Sequence, residues 1–190
     1  MKKYPPSKVP FFNFSSTLPE QENELERNPL LQRMKESRTR LEADKFRPKY
    51  HYVNPEGNLN DPNGLCFWQG NWHLFYQAYP PEDTRQHWGH AVSQDLIHWR
   101  DLPYAIYPLP ENCCYSGATL VENNRVIAMY HGTGVGNIVA TSDDPLLLNW
   151  TKLTNAAVIE LKTPDRRKAY QLDRFSVYDP CIWKCHDHYY

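Results

Sequence analysis

Two aspartates in this sequence are each followed directly by a proline and then by an apolar, strand-like run. Asp61 stands in the run Asn-Asp-Pro-Asn-Gly at 60–64, and Asp179 precedes Pro180. Because proline restricts the residue before it to extended conformations, each carboxylate is expected on a stiff bend rather than on a mobile loop tip. Two carboxylates mounted in the same way predict a two-carboxylate site.

The elements that must hold these aspartates recur along the chain. Segments that begin at positions 61, 116 and 179 share a strand, turn and strand pattern, and 89–99 parallels 137–150. A period of roughly 50–60 residues with about four strands is typical of propeller blades. The sequence therefore predicts an all-β propeller at 46–190, after an N-terminal arm and helix at 1–45. About two and a half blades are expected, at 58–110, 111–165 and a truncated 176–190.

Blade equivalence predicts where the functional side chains meet. The first strand of a blade commonly lines the central channel, so both aspartates are expected to face the axis at the same end. Ser116 takes the equivalent place in the second blade. For either aspartate alone a simple turn is the better interpretation, because Asp-Pro is frequent in turns. The repeat favours a sugar-binding funnel instead.

Composition excludes several classes of function. The 21 basic and 22 acidic residues give a net charge of −1, which argues against a nucleic-acid surface or a polybasic membrane patch. No signal peptide or membrane span is evident, and five cysteines form no obvious disulfide framework, so a cytoplasmic location is predicted. No cofactor or metal is predicted, because the spacing of four residues fits no standard zinc pattern: Cys181, Cys185, His186 and His188.

At these residues the chain resembles glycoside hydrolase family 32, the β-fructofuranosidases. The resemblance rests on six short segments that occur in the same order and at blade spacing. They are Asn-Leu-Asn-Asp-Pro-Asn-Gly at 58–64, His-Leu-Phe-Tyr-Gln at 73–77, Trp-Gly-His-Ala-Val-Ser at 88–93, Asp-Leu-Ile-His-Trp at 95–99, Tyr-Ser-Gly-Ala-Thr at 115–119 and Asp-Pro at 179–180. Family members have a five-bladed propeller, which the resemblance implies here.

The resemblance also implies roles for residues of this chain. Asp61 would be the nucleophile of a retaining mechanism, and Asp179 would stabilise the transition state through sugar hydroxyls. A glutamate, usually in a Glu-Cys pair, would protonate the leaving group. The fructosyl ring would be bound by residues that match the family's positions: Asn60, Gln77, Trp88, Tyr115 and Ser116.

Two departures from the family pattern bear on activity. The family's Arg-Asp-Pro motif reads Tyr178-Asp179-Pro180 here, so Tyr178 takes a substrate-binding position without the guanidinium fork. No Glu-Cys pair occurs in the 190 residues, so the acid/base is expected beyond residue 190. The expected partner is a β-fructoside substrate, and the oligomeric state stays open. The alternatives are a non-catalytic carbohydrate-binding propeller and a hydrolase of another furanoside, such as an arabinofuranoside.

Overall fold

Two antiparallel sheets dominate the computed structural model, which describes residues 4–161 and 177–190. The first sheet has four strands in chain order, and each pairs with the next. Its strands β1 and β2 are joined by a tight turn in which Gln69 and Gly70 both have positive φ, 44° and 85°. Such a turn matches the twist of a two-stranded hairpin. The strands are β1 (Leu59–Trp68), β2 (Asn71–Ala78), β3 (His87–Ser93) and β4 (Trp99–Ile106).

The second sheet repeats this order and adds one short strand. Its first four strands again pair in sequence, and β9 pairs with the start of β7. A separate hairpin, β10 (Lys184–Cys185) with β11 (His188–Tyr189), follows. The all-β propeller prediction is confirmed. The strands of the second sheet are β5 (Cys114–Val121), β6 (Val126–Gly132), β7 (Gly136–Ser142), β8 (Thr151–Lys152) and β9 (Ile159–Glu160).

Both aspartates lie differently from the sequence prediction. Asp61 was expected at the start of the first strand of blade one, but it lies two residues inside β1, because pairing with β2 already begins at Leu59. Asp179 was expected to open a strand, but it lies in a bend before β10, where residues 177–182 have no strand pairing. The predicted start of the third blade near 176 lies outside the described residues.

The two sheets pack through one apolar core whose centre is aromatic. Phe75 and Trp88 from the first sheet and Tyr130 from the second are fully buried there. The innermost strands lie side by side, since the Thr119 hydroxyl donates to the Gly64 carbonyl at 2.9 Å. The sheets are therefore held as neighbouring blades, with β1 and β5 on the inner side.

Two helices lie against the outside of the blades, where a single helix was predicted within 1–45. They are α1 (Leu18–Glu26) and α2 (Pro29–Leu41). The break falls at Asn28, whose side chain caps α2 by accepting from the Leu30 and Leu31 amides at 3.1 and 3.2 Å. Neither helix, nor any other in residues 4–161 and 177–190, is long and apolar enough to cross a membrane.

Candidate functional site

Asp61 is presented by an irregularity in the inner strand. The β1–β2 register shifts between Leu59 and Pro62, so Asn60 and Asp61 form a bulge opposite the end of β2. A bulge bends its strand and re-aims the side chain that it carries. Pro62 fits this place, because it has no N–H to lose from the ladder. The Asp61 carboxylate is exposed as a result, while the strand below it is anchored in the core.

Two hydrogen-bond donors converge on one oxygen of this carboxylate. The Ser116 hydroxyl donates to Asp61 Oδ2 at 2.9 Å, and Gln77 Nε2 donates to the same oxygen at 3.2 Å. Gln77 Nε2 also donates to the Ser116 hydroxyl oxygen at 2.8 Å, which closes the triangle. Within the described residues, Asp61 Oδ1 accepts no hydrogen bond. The geometry thus fixes the carboxylate through one oxygen and leaves the other available to a ligand.

In the second blade, β5 and β6 repeat the arrangement that β1 and β2 form around Asp61 in the first blade. The β5–β6 register shifts between Cys114 and Gly117, which puts Tyr115 and Ser116 in a bulge like that of Asp61. His131 is second from the end of β6, as Gln77 is second from the end of β2. Asp61 with Gln77 in blade one therefore corresponds to Ser116 with His131 in blade two, and both pairs face the same inner edge.

An aromatic cluster joins the last described segment to this edge. The Tyr178 ring lies 4.7 Å from the His131 ring and meets the Tyr115 ring edge-on at 6.3 Å. Tyr178 therefore packs where the family pattern has an arginine. Asp179 is exposed and follows directly. The structure thus brings Tyr178 against Tyr115, next to the Ser116 hydroxyl that bonds Asp61 and Gln77, and Asp179 follows Tyr178 in the chain.

Two predicted site residues lie at its margin. The Trp88 side chain is fully buried, and its indole N–H donates to the Tyr115 carbonyl at 2.8 Å, so it supports the site from the core and has no face in solvent. Asn60 is exposed next to Asp61, and its amide donates to the Tyr79 hydroxyl at 3.3 Å. Asn60 can reach a ligand directly, whereas Trp88 acts here on the backbone of Tyr115.

A buried polar cluster lies behind the start of β5. Glu111 Oε1 receives hydrogen bonds from the Tyr130 hydroxyl at 2.7 Å, Lys152 Nζ at 2.6 Å and the Cys114 thiol at 3.2 Å. Burial raises the pKa of the Cys114 thiol and of the Tyr130 hydroxyl well above their ordinary values, so both stay protonated. The cluster anchors the strand that carries Ser116 and presents no nucleophile.

Sequence reasoning missed two residues of the site. Gln86 is buried, and its Nε2 donates to Gln77 Oε1 at 2.6 Å. His131 could have been found from blade equivalence, because it stands where Gln77 stands one repeat earlier. Gln86 belongs to no repeated motif. Its only signal is that it lies two residues before Trp88, on the same face of an extended chain.

The described residues offer no site for a metal ion. No group of three or more histidine, cysteine, aspartate or glutamate side chains is placed to hold one in residues 4–161 and 177–190. Cys181 and Cys185 are free and exposed.

Two neighbouring propeller blades thus carry a carboxylate and its hydrogen-bond donors on their inner strands. A family model described as the glycosyl hydrolases family 32 N-terminal domain matches residues 51–190, and the chain belongs to this family. The resemblance stated from the six sequence segments is confirmed.

Similar proteins are named for reactions on fructosides. A sucrose-6-phosphate hydrolase from Zymomonas mobilis subsp. mobilis is 34% identical over 167 residues, which are 82% of this chain and 31% of that protein. A levanase from Bacillus subtilis (strain 168) is 43% identical over 90 residues, 46% of this chain and 13% of that one. The chain therefore spans a third or less of the length of these relatives.

Solved structures show the same fold. The sucrose-6-phosphate hydrolase from Lactobacillus gasseri superposes with a TM-score of 0.64 at 29% identity, covering 83% of this chain and 33% of that one. A Bombyx mori GH32 β-fructofuranosidase variant in complex with sucrose gives a TM-score of 0.63 at 30% identity, over 84% and 35% of the two chains.

Proposed function

We propose that this chain belongs to a glycoside hydrolase that cleaves β-fructofuranosidic bonds by a retaining mechanism with Asp61 as nucleophile. The observation that carries the proposal is the Asp61 carboxylate, held through Oδ2 by Gln77 and Ser116, while Oδ1 accepts no hydrogen bond from residues 4–161 and 177–190. A nucleophilic carboxylate must be held within reach of the carbon that it attacks, and donors to one oxygen hold it there. The names of the relatives, sucrose-6-phosphate hydrolase and levanase, support a fructoside substrate.

The proposed reaction has two displacements. Asp61 Oδ1 attacks the anomeric carbon of the fructosyl unit while the bond from that carbon to the leaving oxygen breaks, and the leaving oxygen takes a proton from the acid/base residue. Water then attacks the same carbon and gives its proton to the acid/base residue, while the bond from that carbon to Asp61 breaks, so that the configuration is retained overall. Asp179 stabilises the positive charge that develops on the ring through its contacts with hydroxyls.

Other residues of the site would bind the sugar. Asn60 and Gln77 offer amides to the fructosyl hydroxyls, and Tyr115 and Tyr178 form its aromatic side. Ser116 holds Asp61, and Trp88 positions the Tyr115 backbone. Because Tyr178 cannot supply the paired N–H donors of arginine, we propose that it recognises the sugar by packing rather than by charge.

We propose that the acid/base residue is a glutamate outside these 190 residues. No Glu-Cys pair occurs in them, and Glu111, the buried glutamate behind the site, is already bound to Lys152. We also propose the division into an N-terminal arm with helices at 1–45 and propeller at 46–190. A cytoplasmic location is proposed because the five cysteines are free thiols, which suits a reducing compartment.

Hydrolysis of an aryl β-fructofuranoside in the presence of azide tests this function. Nitrophenolate leaves without protonation and azide needs no general base, so the assay reads the Asp61 step without the acid/base residue. The proposal expects release from para-nitrophenyl β-fructofuranoside and little release from the corresponding α-arabinofuranoside.

Two outcomes would replace the proposal. Release from the arabinofuranoside alone would make the protein a hydrolase of another furanoside. Calorimetric binding of fructose or sucrose without release from either aryl glycoside would make it a carbohydrate-binding propeller. In that case the open oxygen of Asp61 is a binding group and not a nucleophile.

A further inference from the structure

We propose that Gln86 is a positioning residue that sets the orientation of the Gln77 amide and so presents two N–H donors to the Asp61 site. This inference rests on the proposed function for its catalytic consequence, but its geometry stands apart from it. Gln86 and Gln77 are both 4% exposed, so water cannot substitute freely for the bond between them.

The direction of these hydrogen bonds follows from the chemistry of the Asp61 carboxylate, at which the chain of bonds ends. An ionised carboxylate only accepts, so the Gln77 atom that faces Asp61 Oδ2 must be the NH₂ group. Its second hydrogen goes to the Ser116 hydroxyl oxygen, which in turn donates to Asp61. Gln77 Oε1 then faces away from the site and must be met by a donor.

Gln86 supplies that donor. Its Nε2 lies 2.6 Å from Gln77 Oε1. If the Gln77 amide turned over, its oxygen would face the Asp61 carboxylate and its NH₂ would face the NH₂ of Gln86. With Gln86 oriented as it is here, both contacts would be repulsive, so the bond from Gln86 favours the same Gln77 orientation that the Asp61 carboxylate requires.

The backbone of Gln86 also helps to place the other donor to Asp61, the Ser116 hydroxyl. Its carbonyl accepts from the Cys114 amide at 2.9 Å, at the first residue of the strand that carries Ser116. A substitution at Gln86 leaves this backbone bond in place and removes only the side-chain contact. The side-chain effect can therefore be measured separately from the joining of the two blades.

Two substitutions separate positioning from simple loss of packing. Gln86→Met keeps the volume but cannot donate, so it should lower kcat for the aryl β-fructofuranoside roughly 5- to 50-fold with a smaller change in KM. Gln86→Glu should lower kcat further at neutral pH, because a carboxylate facing Gln77 Oε1 favours the reversed amide. Acid should restore part of this loss, since a protonated carboxyl can donate to Gln77 Oε1.

Several charged groups surround position 86 and enter the pH profile. Asp61 lies beyond Gln77, and the Asp83–Arg85 ion pair precedes Gln86 on its own loop. Burial lowers the pKa of the following His87 to about 4, so it stays neutral in the range of the test. The Glu111–Lys152 pair lies behind Cys114. Because all six groups are also present in the wild type, the ratio of Gln86→Glu to wild-type kcat isolates the new carboxyl.

The test measures kcat and KM between pH 5 and 8 for wild type and both variants, with the exposed Gln94→Met as the matched control. Folding is checked by urea unfolding. We expect a Gln86→Glu to wild-type ratio of kcat that rises as the pH falls. A flat ratio, or a Gln86→Met enzyme with wild-type kcat, would overturn the positioning role.

A second readout needs no activity. The ¹⁵N resonance of the Gln77 side-chain amide, assigned by its loss in Gln77→Met, should shift in Gln86→Met and not in Gln94→Met. If the wild type releases no aryl group while this resonance shifts, the proposed function fails and the positioning role stands. An unshifted resonance would overturn the positioning role itself.

Discussion

At the scale of single residues, the site depends on how one carboxylate is held. Ser116 and Gln77 both donate to Asp61 Oδ2, and their mutual bond leaves each with one geometry. Hydrogen bonds to an ionised acceptor are stronger than those between neutral groups. Asp61 is thereby kept in one position although the side chain itself is exposed.

Removing the Ser116 hydroxyl should weaken this hold. Ser116→Ala takes away one donor to Asp61 and one acceptor for Gln77, and a hydrogen bond to a charged group is worth about 1.5–3 kcal/mol. We expect kcat/KM for the aryl β-fructofuranoside to fall roughly 10- to 100-fold, because each 1.4 kcal/mol is about tenfold. Steady-state kinetics measures this effect.

A matched serine controls for the loss of a Ser–Asp bond in general. Ser142 donates to Asp144 Oδ2 at 3.1 Å in the turn after β7. Ser142→Ala should lower stability with little effect on kcat/KM. Equal losses in both variants would mean that Ser116 acts through folding and not on Asp61.

Several individual residues of the site could be predicted from the sequence. Asp61, Gln77 and Ser116 were predicted from motifs and blade equivalence, and the structure brings them together. The orientation of Trp88 could not be predicted. Every residue of β3 is buried, so the strand has no alternation of buried and exposed side chains to show which face meets the ligand. Gln86 escaped prediction because its role depends on a contact with the end of another strand, where propensity and periodicity carry no signal.

At the scale of elements, the inner strands β1 and β5 can lie close together because each contains a bulge and because Gly64 leaves room for the neighbouring side chains. Gly64 has φ of +58°, and a Cβ there would meet Phe75, Thr119 and Trp88 at 3.1–3.2 Å. The left-handed backbone and the close approach of β5 both select glycine. The repeat predicted these strands, but the early start of β1 at Leu59 was missed, since Pro62 resembles a breaker in sequence and is accommodated by the bulge.

Alanine substitutions can separate the cost of a positive φ from the cost of the close packing around Gly64. Gly70 also has positive φ, 85°, but a Cβ there meets nothing within 4 Å. We expect Gly70→Ala to cost about 1 kcal/mol from backbone strain alone. Gly64→Ala should cost more, because Phe75, Thr119 and Trp88 must also move. Urea unfolding of both variants measures the difference, and equal losses would contradict the packing argument.

At the scale of the whole molecule, buried histidines link stability to pH. Burial lowers the pKa of His73 and of His87 to about 4, and that of His90 well below its ordinary value. The native state then binds fewer protons than the unfolded state between pH 6.5 and 4. Stability is therefore present above pH 6.5 and is lost as the pH falls through this window.

The free energy of unfolding should fall by up to about 3 kcal/mol for each of His73 and His87 between pH 6.5 and 4. Carboxylates act at lower pH: the hydrogen bond from Arg125 lowers the pKa of Glu122 to about 2, so its contribution is lost only below about 4.5. Urea unfolding from pH 8 to 4 measures the slope.

His90→Met provides the critical comparison, because His90 bonds the buried His73 ring at 3.0 Å. This variant should be less stable at pH 7.5 and should show a shallower slope between pH 6.5 and 4.5. His188→Gln, an exposed residue on the last hairpin, should keep the wild-type slope. An unchanged slope in His90→Met would mean that the buried pair does not drive acid sensitivity.

The nucleophilic role of Asp61 is tested most directly by azide rescue of Asp61→Ala on the aryl β-fructofuranoside, with the product anomer determined by NMR. Without azide, the variant should lose roughly 10³-fold or more in aryl release. With azide in the space left by the carboxylate, release should return and yield the α-fructosyl azide, because one displacement inverts the anomeric carbon. The wild type should yield the β-azide after two displacements. A β-azide from Asp61→Ala, or azide-free aryl release by Asp61→Ala at the wild-type rate, would contradict the account.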